Sequence, residues 1–178
     1  MKSLVYDKIR LGVAVLLYLC ATSWADAKVK LPALISDGMV LQREQSVKVW
    51  GTADAGENIT IEFQKKSYHA TADANGQWSI TLPPLKAGGP FLMQINDIKL
   101  NDILVGDVWL CSGQSNMELP VKRVMDMFSN EILNYNNEKI RHILIPQKYN
   151  FHAPQEEISA TSWKTLTQKN VMEFSALA

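Results

Sequence analysis

The sequence predicts a small β-sandwich of immunoglobulin-like type, followed by a strand–helix–strand unit of α/β type. Three observations carry this. Up to about Asn101, apolar residues alternate with polar ones in short runs separated by turn signals. Near Leu104 the alternation gives way to an unbroken apolar run, and beyond it the apolar spacing becomes helical. The boundaries read as 1–27 for a leader, 28–103 for the sandwich and 104–178 for the α/β part.

The leader is set aside first. Lys2, Lys8 and Arg10 make a basic start, Leu11 to Ala21 is apolar, and Ala25-Asp26-Ala27 offers small residues where a signal peptidase reads. The apolar run falls well short of the roughly 20 residues a membrane-spanning helix needs, so an export signal is expected and a membrane anchor is not. Tyr18 and Leu19 before Cys20 argue against lipid attachment there. Cleavage after Ala27 would leave Cys111 as the one cysteine and no internal disulfide. The export signal implies a periplasmic or extracellular destination, and between these the short signal and the lack of disulfides point to a bacterial periplasm.

Within the sandwich, Val47 to Trp50 alternates, and Asn58 to Phe63 puts Ile59, Ile61 and Phe63 on one strand face. Ala55-Gly56, Asp73 to Gly76 and Gly88-Gly89-Pro90 supply turns, with Asn75-Gly76 suited to the positive φ angles of a tight hairpin. Gln77 to Leu82 alternates again, and Phe91 to Ile95 reads as another strand. Six or seven strands at roughly ten-residue spacing fit the sandwich. Trp50, Trp78 and Tyr68 could form a sugar-stacking platform, but aromatics in alternating strands more often pack in the core.

In the α/β part, Val108 to Cys111 lacks polar alternation, as in a strand buried on both faces, and Cys111 reads as a buried, inert thiol. Val121, Val124, Met125, Phe128 and Ile132 recur at helical spacing and read as a core stripe, with the Asn-rich stretch Asn134 to Asn137 ending the helix. Ile140 to Ile145 then reads as a second strand closed by Pro146, completing a βαβ unit.

Composition narrows the partners. A formal net charge of +0 leaves no electrostatic footprint for nucleic acid or anionic lipid. One mature-chain cysteine and three scattered histidines show no metal-ligand spacing.

The chemistry concentrates in VWLCSGQSNMELP, Val108 to Pro120. Ser115 follows the expected strand and precedes the expected helix, where backbone N–H groups and a helix N-terminus could stabilise an oxyanion near its Oγ. Serine and asparagine are also ordinary turn and capping residues, so position alone weighs toward a structural turn. The G-x-S-x-G nucleophile elbow does not fit, because Asn116-Met117 follows Ser115 without a second glycine.

GQSNM, Gly113 to Met117, after VGDVWLCS, resembles the first motif of the SGNH hydrolases, and specifically the sialate O-acetylesterase group of carbohydrate esterases. LPALISDGMVLQRE, VWGTADAGENITIEF and ANGQWSITLPPL look like the β-sandwich preceding the catalytic domain in that group, and SGQSNMELPV looks like the start of the domain, which is flavodoxin-like. A tryptophan and FSALA near the C-terminus look like the approach to its next helix.

The resemblance implies that Ser115 is the nucleophile and that its backbone N–H is one oxyanion donor, with Gly113, Gln114 and Asn116 as motif residues shaping the turn. It implies acyl-enzyme hydrolysis of acetyl esters on sugars, with a histidine as base and then acid, oriented by an aspartate. No metal or organic cofactor is implied. The group's Asp and His stand three residues apart as D-x-x-H, and here Lys66, Lys139 and Tyr149 stand three before His69, His142 and His152. The general base and its aspartate are therefore absent from this sequence, and the chain is expected to be inactive alone. The expected partner is an acetylated sugar, sialic acid foremost. Acetylated xylan or pectin is the alternative substrate, and a non-catalytic sugar-binding sandwich the alternative reading. Asn58-Ile59-Thr60 is a glycosylation sequon if the source is eukaryotic.

Overall fold

A computed structural model describes residues 29–134, 136–146, 148–153, 158 and 161–177, so the export signal expected over 1–27 lies outside the described residues. The first half is built from seven strands: β1 (Val40–Gln42), β2 (Val47–Thr52), β3 (Asn58–Phe63), β4 (Lys66–Thr71), β5 (Gln77–Leu82), β6 (Gly88–Ile95) and β7 (Ile98–Gly106). Five of them form a mixed sheet in the order β1-β7-β6-β3-β4, with β1 and β7 parallel and the other pairs antiparallel. The other two, β2 and β5, pair antiparallel as a second sheet.

Period-two alternation decides which faces meet. Ile59, Ile61 and Phe63 of β3 are buried, and so are Trp78, Ile80 and Leu82 of β5. They join Met93 and Ile95 of β6 and Ile103 and Val105 of β7 in one core between the two sheets. Each such side chain contributes roughly 1.5–3 kcal/mol by leaving water. Trp78 is core rather than platform: its indole lies over Gly51, where an added Cβ would come within 2.8 Å of the ring and 2.4 Å of the Lys30 carbonyl. Trp50 and Tyr68 are partly buried against the same core. The turn at Asp73 to Gly76 is fixed differently from the reading of Asn75-Gly76. Of the two, Gly76 alone takes a positive φ, and the Asp73 carboxylate accepts the N–H groups of Asn75 and Gln77.

The second half departs from the βαβ expectation. Strand β7 continues through Gly106, past the change of pattern at Leu104. Val108 to Cys111 then forms no strand; Trp109 and Leu110 are 84% and 91% exposed, and Cys111 is exposed rather than buried. A strand buried on both faces needs a strand on each edge and a layer on each side. Among the described residues nothing supplies them here.

The single helix expected from Val121 to Ile132 is replaced by two 3-10 turns, Val121–Arg123 and Met125–Met127, and a short helix α1 (Ser129–Asn134). Its apolar stripe is half-buried at best, with Phe128 exposed, because an amphipathic face stays helical and covered only against a partner. The second expected strand forms as β8 (Asn137–His142), displaced from Ile140–Ile145. It pairs antiparallel with β9 (Lys164–Leu166), so among the described residues no parallel crossover is made. Beyond Val105, the buried apolar residues among those described are Leu166 and Val171.

Candidate active site

The segment that carries Ser115 leaves β7 under two restraints. Arg43 Nε binds Asp107 Oδ1 at 2.8 Å, and Val108 N donates to Gln42 Oε1 at 2.8 Å. Both side chains of the ion pair are largely exposed, so it orients more than it stabilises. After an exposed stretch without regular secondary structure the chain turns at Gln114–Met117, where Met117 N donates to the Gln114 carbonyl at 2.9 Å. Ser115 and Asn116 are the two central residues of that turn. A second turn follows, with Leu119 N donating to the Asn116 carbonyl at 3.2 Å. Gly113 has a local reason to be glycine, since a Cβ there would meet the Met117 Cβ at 3.3 Å.

Ser115 is exposed at the tip of this turn, and among the described residues its hydroxyl has no hydrogen-bond partner. Among the described residues no helix N-terminus backs it, because the first helical residues after it are the 3-10 turn at Val121. Ser112, Gln114 and Asn116 are exposed as well.

The far side of the turn is clamped by residues that periodicity did not single out. Pro120 and Ser175 form an antiparallel bridge, in which Val121 N donates to the Phe174 carbonyl and Ala176 N to the Leu119 carbonyl. Ser175 Oγ lies 3.8 Å from Met117 Sδ. The described residues of FSALA follow a 3-10 turn at Val171–Glu173 and run beside the serine segment. An isolated backbone bridge has no sequence period, so no local signal could have found it.

The histidines are dispersed. His69 is exposed on β4, sharing a 3.2 Å contact with Thr60 Oγ1, and His152 is exposed with its backbone N–H donating to Asn150 Oδ1. His142 is half-buried on β8, its ring 3.6 Å from that of Phe174, and its Nδ1 is buried without a partner. None of the three bonds to Ser115 among the described residues.

Burial and the nearby Lys164 ammonium push the His142 pKa down, while the Glu173 carboxylate, ion-paired with Lys164, opposes them. The folded chain therefore favours neutral His142. The stability gained from docking Val171–Leu177 should be full above the unfolded value of about 6.5 and decline as pH falls below it. Glu173, whose pKa the Lys164 hydrogen bond lowers, loses its own contribution only below the usual carboxylate range. The protection factors of Ala176 and Val121, each exchange rate set against the intrinsic amide rate at the same pH, should fall between pH 7 and pH 5 in the wild type and stay flatter in His142→Gln. Equal slopes in both chains would count against this assignment.

No protein-family model matches the chain. It is 33% identical to the sialate O-acetylesterase of Homo sapiens over 65% of its own length and 25% of that protein, and 30% identical to the Mus musculus protein over 65% and 24%. It superposes with a TM-score of 0.78 on the crystal structure of a carbohydrate acetylesterase from Xanthomonas citri, at 36% identity over 84% of this chain and 35% of that one. The chain spans about a quarter of the length of the curated relatives it matches. In sequence the chain is similar to sialate O-acetylesterases, and in fold it is similar to a carbohydrate acetylesterase.

Proposed function

We propose that this chain is part of an exported carbohydrate O-acetylesterase, acting on O-acetylated sialic acid, and that it supplies the serine nucleophile of that enzyme. The observation that carries the reading is the likeness to the Xanthomonas citri carbohydrate acetylesterase at 36% identity and TM-score 0.78, together with a GQSNM turn that presents Ser115 to solvent. In this reading, residues 1–27 direct export, 28–103 form an immunoglobulin-like sandwich, and 104–178 begin an SGNH-type α/β domain.

Ser115 Oγ would attack the acetyl carbonyl while a histidine takes its proton. The tetrahedral oxyanion would be met by the Ser115 backbone N–H, and collapse would expel the sugar hydroxyl and leave an acetyl-enzyme for water to cleave. The sequence has no D-x-x-H, so the proton acceptor and its aspartate have to come from elsewhere in a complete enzyme.

The test measures acetate released from O-acetylated sialic acid and from acetylated xylan, by the 178-residue chain and by a chain that continues into a D-x-x-H segment. Release by the longer chain alone, faster on the sialic acid, is the expected result. Turnover by the 178-residue chain that persists in Ser115→Ala would overturn it.

A further inference from the structure

We propose that Arg141 is a positioning residue, which anchors β8 to two loops of the first half and, through His142 and Phe174, holds the Ser115 turn in place. The Arg141 side chain is 4% exposed, unusual burial for a guanidinium. Nη1 donates to the Gly38 carbonyl at 2.9 Å and also to the Asp102 carbonyl, and Nη2 donates to Asp102 Oδ1 at 2.8 Å. One planar fork thus joins the loop after Ile35 to the bend within β7. A lysine ammonium, a single point of charge, cannot match that spread of acceptors.

The receiving loops are shaped for this. Gly38 has φ +77°, and an added Cβ would touch Arg141 Nη1 and Trp163 Cβ, each at 3.4 Å. Asp102 adopts a positive φ of 59°, a left-handed state that aspartate tolerates better than most non-glycine residues. The two loops brace each other: Gly38 N donates to the Asn101 carbonyl, and Asn101 N to Asp37 Oδ1. Trp163, just before β9, adds a second tie by donating Nε1 to the Leu34 carbonyl at 3.0 Å. Both strands of the β8–β9 pair are therefore pinned to the same region of the first half.

From there the contacts are continuous. His142 adjoins Arg141 and lies against Phe174, the Phe174 carbonyl accepts Val121 N, and the Leu119 carbonyl accepts Ala176 N. Leu119 N in turn closes on Asn116, beside Ser115. The first-half sheets thereby act as the fixed frame for a turn that has no helix behind it. The inference rests on the proposed esterase reading only in calling what is positioned a nucleophile.

Hydrogen exchange of the 178-residue chain measures this without substrate. In Arg141→Ala, exchange at Leu119, Val121 and Ala176 should rise about tenfold or more while the amides of β3 and β6 hold their rates. Arg141→Lys should show the same local rise and is read in its place if the alanine variant does not fold. Ile59→Val, a core change remote from the latch, should leave these three amides alone. Phe174→Ala should expose Val121 and Ala176 but keep Gly38 protected, because it breaks the relay beyond its anchor. Unchanged exchange at the three amides, a rise shared equally by β3 and β6, or the same local rise in Ile59→Val overturns the proposal. Since no turnover is measured, failure here leaves the esterase reading standing, and an inert Ser115 leaves the latch standing.

Discussion

Ser115→Ala, made in a chain that continues into a D-x-x-H segment, is expected to lower kcat for acetyl-ester hydrolysis by about 1,000-fold or more, with KM nearly unchanged. The split follows from the proposed chemistry. Losing Oγ removes the bond that forms in the transition state, and covalent catalysis with it, while the sugar would still be held by surfaces that do not touch the serine. Ser112→Ala is the internal control: it lies three residues earlier in an exposed stretch outside the turn, and its activity should stay within a few-fold of wild type. Steady-state kinetics on an O-acetylated sugar, with a chromogenic acetyl ester beside it, reads both. A Ser115→Ala enzyme within tenfold of wild type would place the nucleophile elsewhere. The turn itself should survive, because its closing bonds run between backbone atoms of Gln114, Asn116, Met117 and Leu119 and none uses the Ser115 side chain.

The two halves of the chain are not equally legible. Alternation alone assigns Ile59, Ile61 and Phe63 to a buried face, because each lies in a strand whose partners are also in this chain: Ile61 and Phe63 face Ile95 and Met93 across β6. Alternation is a sound guide where the second sheet that covers the face is present. After Gly106 the same reasoning meets residues whose covering partners are not among those described. Trp109 and Leu110 have a buried strand's composition and a surface residue's exposure, and Met127 and Phe128 have a core stripe's spacing without a core. The pattern reports what a segment needs, and the structure reports what it has.

The site shows the same limit in another form. A motif marks Ser115, but its restraints come from Phe174–Ala176, about sixty residues later, and from Arg141 across to Gly38 and Asp102. Arg141 stands in KIRHILI, where an arginine amid apolar residues could equally be a solvated edge position. Only the left-handed Asp102 and the glycine at 38 hint at a receiving loop, and neither backbone state can be read from composition.

Phe63→Ala is expected to be the most destabilising of the simple core truncations, by about 3–5 kcal/mol. Phe63 is 2% exposed, closes β3 opposite Met93, and meets Phe91 edge-on with ring centroids 5.7 Å apart and planes at 83°. Truncation removes the transfer energy of a buried ring, leaves a cavity in a close-packed core that collapses only in part, and strips Phe91 of its aromatic partner. A loss of that size is a large share of the roughly 5–15 kcal/mol that holds a domain together. The thermal midpoint should fall by about 10 °C or more, and urea unfolding should shift with it. Phe91→Ala should cost less, since Phe91 is only partly buried, and the double variant should cost less than the sum because the ring pair can be lost once. Tyr149→Ala sets the baseline: at 81% exposure it should move the midpoint hardly at all. If Phe63→Ala melts within two or three degrees of Tyr149→Ala, the two sheets do not share the core that Ile59, Ile61, Trp78 and Leu82 are drawn into here.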